Sequence, residues 1–243
     1  MNALSAEAAA ALATDGFIVV PGPYSAEELA RVQAAYDRAC ADATPADVHV
    51  GRASTRVNDF VNRDAEFDAV YTWPPALDAG RRVVGGRFRL SVLHARTLHP
   101  GAAAQELHVD LPRTSDAWPM LGMILMIDEF RPDNGATRFV PGSHRWSDPP
   151  ERVLADRVAE YPGERLACGP AGSMVLFDAS IWHGYTANTS HAPRRSLQGT
   201  FIPRAGRAAT DFVGRMDPAT LARLGAVERE VIGIESAIGV PRD

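Results

Sequence analysis

Few residues of this chain could do chemistry together, and their order is informative. His108-Val109-Asp110 sets an imidazole and a carboxylate two residues apart, His183 follows far downstream, and Arg194-Arg195-Ser196 comes eleven residues after it. On a strand, residues i and i+2 project to the same side, so His108 and Asp110 would converge on one point and a third ligand would arrive from another strand. Two neutral imidazoles and one carboxylate on one face of a metal leave the opposite positions open, which suits a ferrous ion that reacts with oxygen. Arg194 and Ser196 are likewise i and i+2. A guanidinium fork beside a hydroxyl suits the distal carboxylate of a small dicarboxylic acid such as 2-oxoglutarate, whose keto-acid end would chelate the metal.

Singly these pieces are ambiguous. His108 is the only one of seven histidines with an acid two residues on, yet the triplet alone reads equally well as an exposed strand histidine paired with Asp110. His183 beside Trp182 reads alone as an interior histidine, and Arg194-Arg195 alone as a surface pair. Arg195 points to the opposite face and takes the clamp's role if the register slips by one. The case rests on conjunction and on strand-like settings.

Those settings come from the pattern of elements. An Ala-rich helix over about 5–14 is broken by Gly16, and Phe17–Val20 reads as a strand ended by Pro21-Gly22-Pro23. Ser25 and Glu28 form a capping box opening a helix to about Cys40, with Leu29, Val32 and Tyr36 on one face. A polar stretch follows near 41–66, then a turn at Val83–Gly86. Further strands are expected at 87–98, at 105–110 carrying the triplet, at 119–128 (an apolar run covered on both faces), at 137–140 after the Asn134-Gly135 turn, at 173–177, 181–186 and 194–203. Asp217-Pro218 opens a terminal helix to about Val231. Short, closely spaced strands with helices mainly in the N-terminal part predict a mainly β (α+β) fold: a double-stranded β-helix, or jelly-roll, core flanked by N-terminal helices, in a single domain over 1–243.

Composition excludes other chemistries. The net charge is −5 with no run of like charges, so a nucleic-acid partner is not expected, because phosphate binding needs a concentrated basic face. The basic residues are all arginine, which removes Schiff-base and lysine general-base chemistry and leaves arginine, histidine and backbone N–H groups to hold any buried anion. Cys40 and Cys168 have no metal-binding spacing and read as reduced, partly buried thiols. No basic leader and no apolar run of about 20 residues appears, so a soluble, cytoplasmic chain without a membrane partner is expected.

With these residues in hand, the chain resembles the phytanoyl-CoA dioxygenase family of Fe(II)/2-oxoglutarate oxygenases over nearly its whole length. The resemblance begins at Asp15–Gly22 and continues through Pro100-Gly101 and Gln105 to His108-Val109-Asp110. Its most specific stretch is Asn134–His144, where Asn-Gly runs into Pro-Gly-Ser-His, and it ends at Trp182-His183-Gly184, Asn188 and Arg194. The resemblance implies that His108, Asp110 and His183 are the iron ligands and catalytic centre. It also implies that Arg194 with Ser196 binds 2-oxoglutarate, that Thr137 lines the cosubstrate pocket, and that His144 is structural. Related halogenases carry a small residue in place of the acid, so Asp110 favours hydroxylation, with desaturation, ring closure or epoxidation as diverted outcomes. The implied cofactors are Fe(II), 2-oxoglutarate and O2, and the substrate is a small molecule, favoured to be one of specialised metabolism.

Two rival readings stand beside this one: a catalytically silent jelly-roll binding module, and a jelly-roll metal enzyme that does not use 2-oxoglutarate. Residues 41–75 and the loop 111–118 are expected to shape the mouth of the pocket, with Arg56, Asn58, Arg113 and Trp118 as candidate contacts.

Overall fold

The computed structural model describes residues 3–112 and 119–234. Arg113 and Trp118 lie outside the described residues. The strands are β1 (Phe17–Pro21), β2 (Val48–Val50), β3 (Ser54–Val57), β4 (Phe88–Leu98), β5 (Leu121–Met126), β6 (Thr137–Phe139), β7 (Arg165–Ala167), β8 (Ser173–Asp178), β9 (His183–Tyr185) and β10 (Arg194–Pro203). They form two antiparallel sheets, a large one in the order β1-β8-β5-β10-β4-β3-β2 and a small one in the order β7-β6-β9. The expected jelly-roll core with flanking helices is therefore present.

Local chemistry sets the helices. In α1 (Ala6–Asp15) the Ser5 side chain caps the first turn, and Gly16, at φ +85°, closes the last in the left-handed conformation that glycine adopts without penalty. The capping box of α2 (Ala26–Ala41) forms as the sequence predicts: Glu28 N–H donates to Ser25 Oγ, and Ser25 N–H donates to Glu28 Oε2 at 2.8 Å. Val32 and Tyr36 are buried on its inner face, while Leu29 is half-buried.

Residue alternation in the large sheet separates two environments. Leu93, Ala95, Met123, Leu125, Leu176 and Leu197 face a helical layer, and Ile124, Met126, Val175 and Phe177 face the small sheet. The helical layer includes α3 (Asp68–Thr72) and α4 (Pro74–Val83), which the sequence did not reveal. Phe60, Phe67, Val70 and Tyr71 are fully buried there. Each such side chain stabilises the fold by roughly 1.5–3 kcal/mol, so the layer is a firm backing for the floor of the site.

Three sequence expectations need correction. Of residues 41–75, Arg56 lines the pocket and the rest do not. The segment makes the β2–β3 hairpin and then turns under the large sheet, because its aromatic residues belong to the core. Residues 105–110 are not a regular strand: His108 pairs with His183 through one isolated bridge. The terminal helix is two, α6 (Pro218–Arg223) and α7 (Ala226–Ile232), separated where Leu224 turns extended and buries its side chain before Gly225. A short helix, α5 (Pro150–Val153), completes the set.

Candidate metal centre

The His-x-Asp segment is positioned by backbone bonds on both sides. His108 and His183 exchange reciprocal N–H···O bonds of 2.9 Å, Leu107 N–H donates to the Arg157 carbonyl, and Asp110 N–H donates to that of Ala179 at 3.0 Å. Leu107 is fully buried against Val140 and Trp182. Trp182 N–H donates to Ser143 Oγ at 2.8 Å, which fixes the start of β9. Gly184 is required by this arrangement. A Cβ there would stand 2.8 Å from the Gln105 carbonyl oxygen and 3.1 Å from that of Glu106.

The three side chains meet. Their ligand atoms all lie within 4.8 Å of one another. His108 Nε2 is 3.7 Å from one Asp110 oxygen, and His183 Nε2 is 3.6 Å from the other. Each ring uses its other nitrogen elsewhere: His108 Nδ1 bonds the Glu106 carbonyl at 3.1 Å and His183 Nδ1 the Ile181 carbonyl at 2.9 Å. A carbonyl only accepts, so each Nδ1 carries the hydrogen and each ring turns its Nε2 to the common point. Burial, reinforced by neighbouring His108 and opposed by Asp110, holds His183 below the ordinary imidazole range and keeps it neutral. This donor set fits a divalent cation bound on one face.

A cavity of about 330 Å³ opens beside these ligands, between the large sheet and the small one. Arg194 enters it from β10. The residue is 2% exposed, its guanidinium carbon lies 4.1 Å from the Phe130 ring centroid, and it donates to the Gly135 carbonyl (2.9 Å) and Ser196 Oγ (3.3 Å). Its Nε is buried without a partner. Burial, with Arg96 nearby, lowers its pKa to about 10. Among the described residues no carboxylate pairs with it, and a buried cation of this kind is suited to hold an anionic group. Arg195, the alternative, faces the other way and is already engaged by Asp128 and Asp37, each at 2.7 Å. The predicted register is thus the observed one.

The remaining candidates divide. Thr137 is buried on β6 and lines the cavity. Ser196 is fully buried beneath Arg194, with its hydroxyl donating to the Arg96 carbonyl. Arg56 lines the cavity. Asn58 does not: its backbone bonds Asp47 and Arg63 on the far side of the β2–β3 hairpin. His144 bonds the Ala13 carbonyl through Nε2 at 3.2 Å and packs on Gly16, a structural role. Sequence reasoning missed His94, Arg96 and Gln198, all in the cavity wall. Alternation along β10 from Arg194 would have found Gln198; His94 and Arg96 face the cavity through the pairing of β4 with β10.

The model of the family described as phytanoyl-CoA dioxygenase matches residues 12–196. A stretch of 120 residues is 41% identical to the dioxygenase cdmA of Talaromyces verruculosus, covering 45% of this chain and 37% of that one. The ectoine dioxygenase of Sphingopyxis alaskensis is 28% identical over 258 residues, covering 91% of this chain and 84% of the other. Among solved structures, HygX from Streptomyces hygroscopicus with nickel, 2-oxoglutarate and hygromycin B bound superposes with a TM-score of 0.69 at 18% identity, covering 84% of this chain and 90% of that one. At that identity the likeness is one of fold. The chain spans 37% to 50% of the length of the first curated relatives it matches.

Proposed function

The chain belongs to the phytanoyl-CoA dioxygenase family, and we propose that it is a non-haem Fe(II)- and 2-oxoglutarate-dependent oxygenase that uses O2 to hydroxylate, or otherwise oxidise, an unactivated C–H bond of a small organic molecule. The observation that carries this reading is the convergence of two imidazole Nε2 atoms and one carboxylate beside a buried arginine that lacks a counter-ion. His108, Asp110 and His183 would hold the iron, and Arg194 with Ser196 the distal carboxylate of 2-oxoglutarate, with Thr137 in the wall between. Bound iron with 2-oxoglutarate and oxygen supplies the oxidising power. The protein's part is placement. The Nδ1–carbonyl bonds orient both imidazoles, and Arg194 fixes one end of the cosubstrate. Ile124 and Phe177 give the cavity an apolar side from which water is excluded. With Asp110 as the third ligand, hydroxylation is favoured over halide transfer.

Residues 1–243 are read as one catalytic domain. The similarity to enzymes of fungal and bacterial origin acting on small molecules, together with the cavity's size, supports a substrate from specialised metabolism. No helix among the described residues is long and apolar enough to cross a membrane. The free thiols Cys40 and Cys168 accord with a reducing, cytoplasmic compartment. Anaerobic addition of Fe(II) and 2-oxoglutarate to the metal-free protein should produce a visible metal-to-ligand charge-transfer band. A protein that gives no band, or an Asp110→Ala variant whose band is undiminished, refutes the assignment.

A further inference from the structure

The cavity holds more positive charge than the metal and the dicarboxylate require. Among the described residues, Arg56, Arg96 and Arg194 line it against a single carboxylate, Asp110. On the oxygenase reading, a ferrous ion and Arg194 together balance Asp110 and doubly charged 2-oxoglutarate. Arg56 and Arg96 are then left over, and among the described residues neither is ion-paired. Arg56 is exposed, so its charge costs little; Arg96 is half-buried, where an uncompensated charge is unfavourable and persists if a ligand of opposite sign completes it.

The geometry gathers these groups into one place. Arg96 stands opposite Arg56 across β3–β4 and opposite Ser196 across β4–β10. Its guanidinium carbon is 5.2 Å from the Tyr185 ring centroid, and its Nε is buried without a partner. Two residues along the same face, His94 is 9% exposed and neither ring nitrogen has a hydrogen bond. Burial pushes its pKa to about 3, so the ring is neutral and offers one donor and one acceptor. His94 lies opposite Gln198. Gln198 is four residues, or about 13 Å at strand spacing, from Arg194. The floor therefore continues well beyond the cosubstrate's anchor, and the His94 ring and Arg96 Nε stand in it without hydrogen-bond partners, while Gln198 Nε2 donates to Ser196 Oγ at 3.5 Å.

We propose that Arg56, Arg96 and His94 form an acceptor for a carboxylate or similar oxyanion on the primary substrate, so that this chain oxidises a small organic acid rather than a neutral molecule. The inference rests on the oxygenase reading and adds the substrate class to it. The test uses protein loaded with Ni(II) and 2-oxoglutarate, titrated by calorimetry with hexanoate and 3-phenylpropanoate and with their primary amides. Each acid should bind at least about tenfold tighter than its amide, since each charge-assisted hydrogen bond lost is worth that much or more. Arg96→Gln and the exposed-site variant Arg56→Gln should each abolish most of this preference while leaving 2-oxoglutarate affinity within about threefold; Arg194→Gln should do the reverse. Acids that bind no better than amides overturn the proposal, as does an Arg96→Gln variant that loses 2-oxoglutarate affinity as Arg194→Gln does. Failure of the oxygenase reading shows separately, as wild-type protein that takes up neither Ni(II) nor 2-oxoglutarate. The acid-to-amide ratio on metal-free protein then still decides the anion site.

Discussion

Replacing Arg194 by methionine should separate folding from function in opposite directions. In the ligand-free protein the guanidinium is a buried charge without an acid. Its pKa, lowered to about 10 by burial and then by Arg96, corresponds to an environment that disfavours the cation by roughly 3 kcal/mol. The sign matters: a base whose pKa falls on folding holds the folded state back at all pH values below about 10, and the penalty is relieved as pH rises through that value. Methionine removes the penalty but loses the bond to the Gly135 carbonyl, worth about 1–3 kcal/mol, and the contact over Phe130, worth about 1–2 kcal/mol. These terms nearly cancel. The ligand-free variant should unfold within about 1 kcal/mol of wild type, whereas truncations of buried side chains usually lose several. Binding should respond quite differently. Truncating one partner of a buried charge pair costs about 2–5 kcal/mol, a loss of at least 30-fold in affinity for 2-oxoglutarate. In thermal melts with Ni(II), 2-oxoglutarate at about a hundred times its wild-type Kd should stabilise wild type by about 2.7 kcal/mol, a rise of roughly 5–10 °C in Tm, and should stabilise the variant by no more than about 0.9 kcal/mol, or roughly 2–3 °C. A variant that melts far below wild type yet keeps the full 2-oxoglutarate shift would refute the reasoning.

Other perturbations follow from the same structure. His108→Ala and Asp110→Ala should each reduce anaerobic Fe(II) uptake from one ion per chain to none and abolish succinate formation, with the melting temperature of the metal-free protein little changed; full succinate production in either would sink the ligand assignment. A Cβ at Gly122 would sit 2.1 Å from the Phe177 ring, which itself lies 5.2 Å from the His183 ring. Gly122→Ala should therefore destabilise the fold by about 1–3 kcal/mol and weaken metal affinity together, measured by denaturation and Ni(II) titration. Burial raises the Cys40 thiol to about 11, so only its minor thiolate form reacts at pH 8. Alkylation of native protein should be at least about tenfold slower than of unfolded protein at that pH, and its rate should still be climbing above pH 10.

Most of the site was legible because its residues obey the alternation of strands. Arg194 and Ser196 point inward on β10 and Arg195 outward, as i and i+2 spacing requires. The jelly-roll core followed from apolar runs such as 119–128, and the start of α2 from Ser25 with Glu28, where one side chain satisfies one backbone donor. What stayed hidden depends on partners distant in sequence. Phe60, Phe67 and Tyr71 sit in a stretch whose polar residues suggested a loop, and only packing under the large sheet gives them a reason to be helical. The 105–110 segment read as a strand because it alternates, yet its one neighbour is β9, so a single bridge forms. Arg96 and His94 were passed over because an isolated polar residue on a long strand gives no sign of whether its face looks on solvent or on a cavity.

The reciprocal bonds between His108 and His183 have a mechanical consequence. They tie two ligands into one small backbone ring, while Gly184 lets the neighbouring chain lie flush against β9. An ion bound there would be a clasp across that seam, adding three side-chain bonds where the backbone supplies two. Loading the metal and stiffening the 105–111 segment would then be one event.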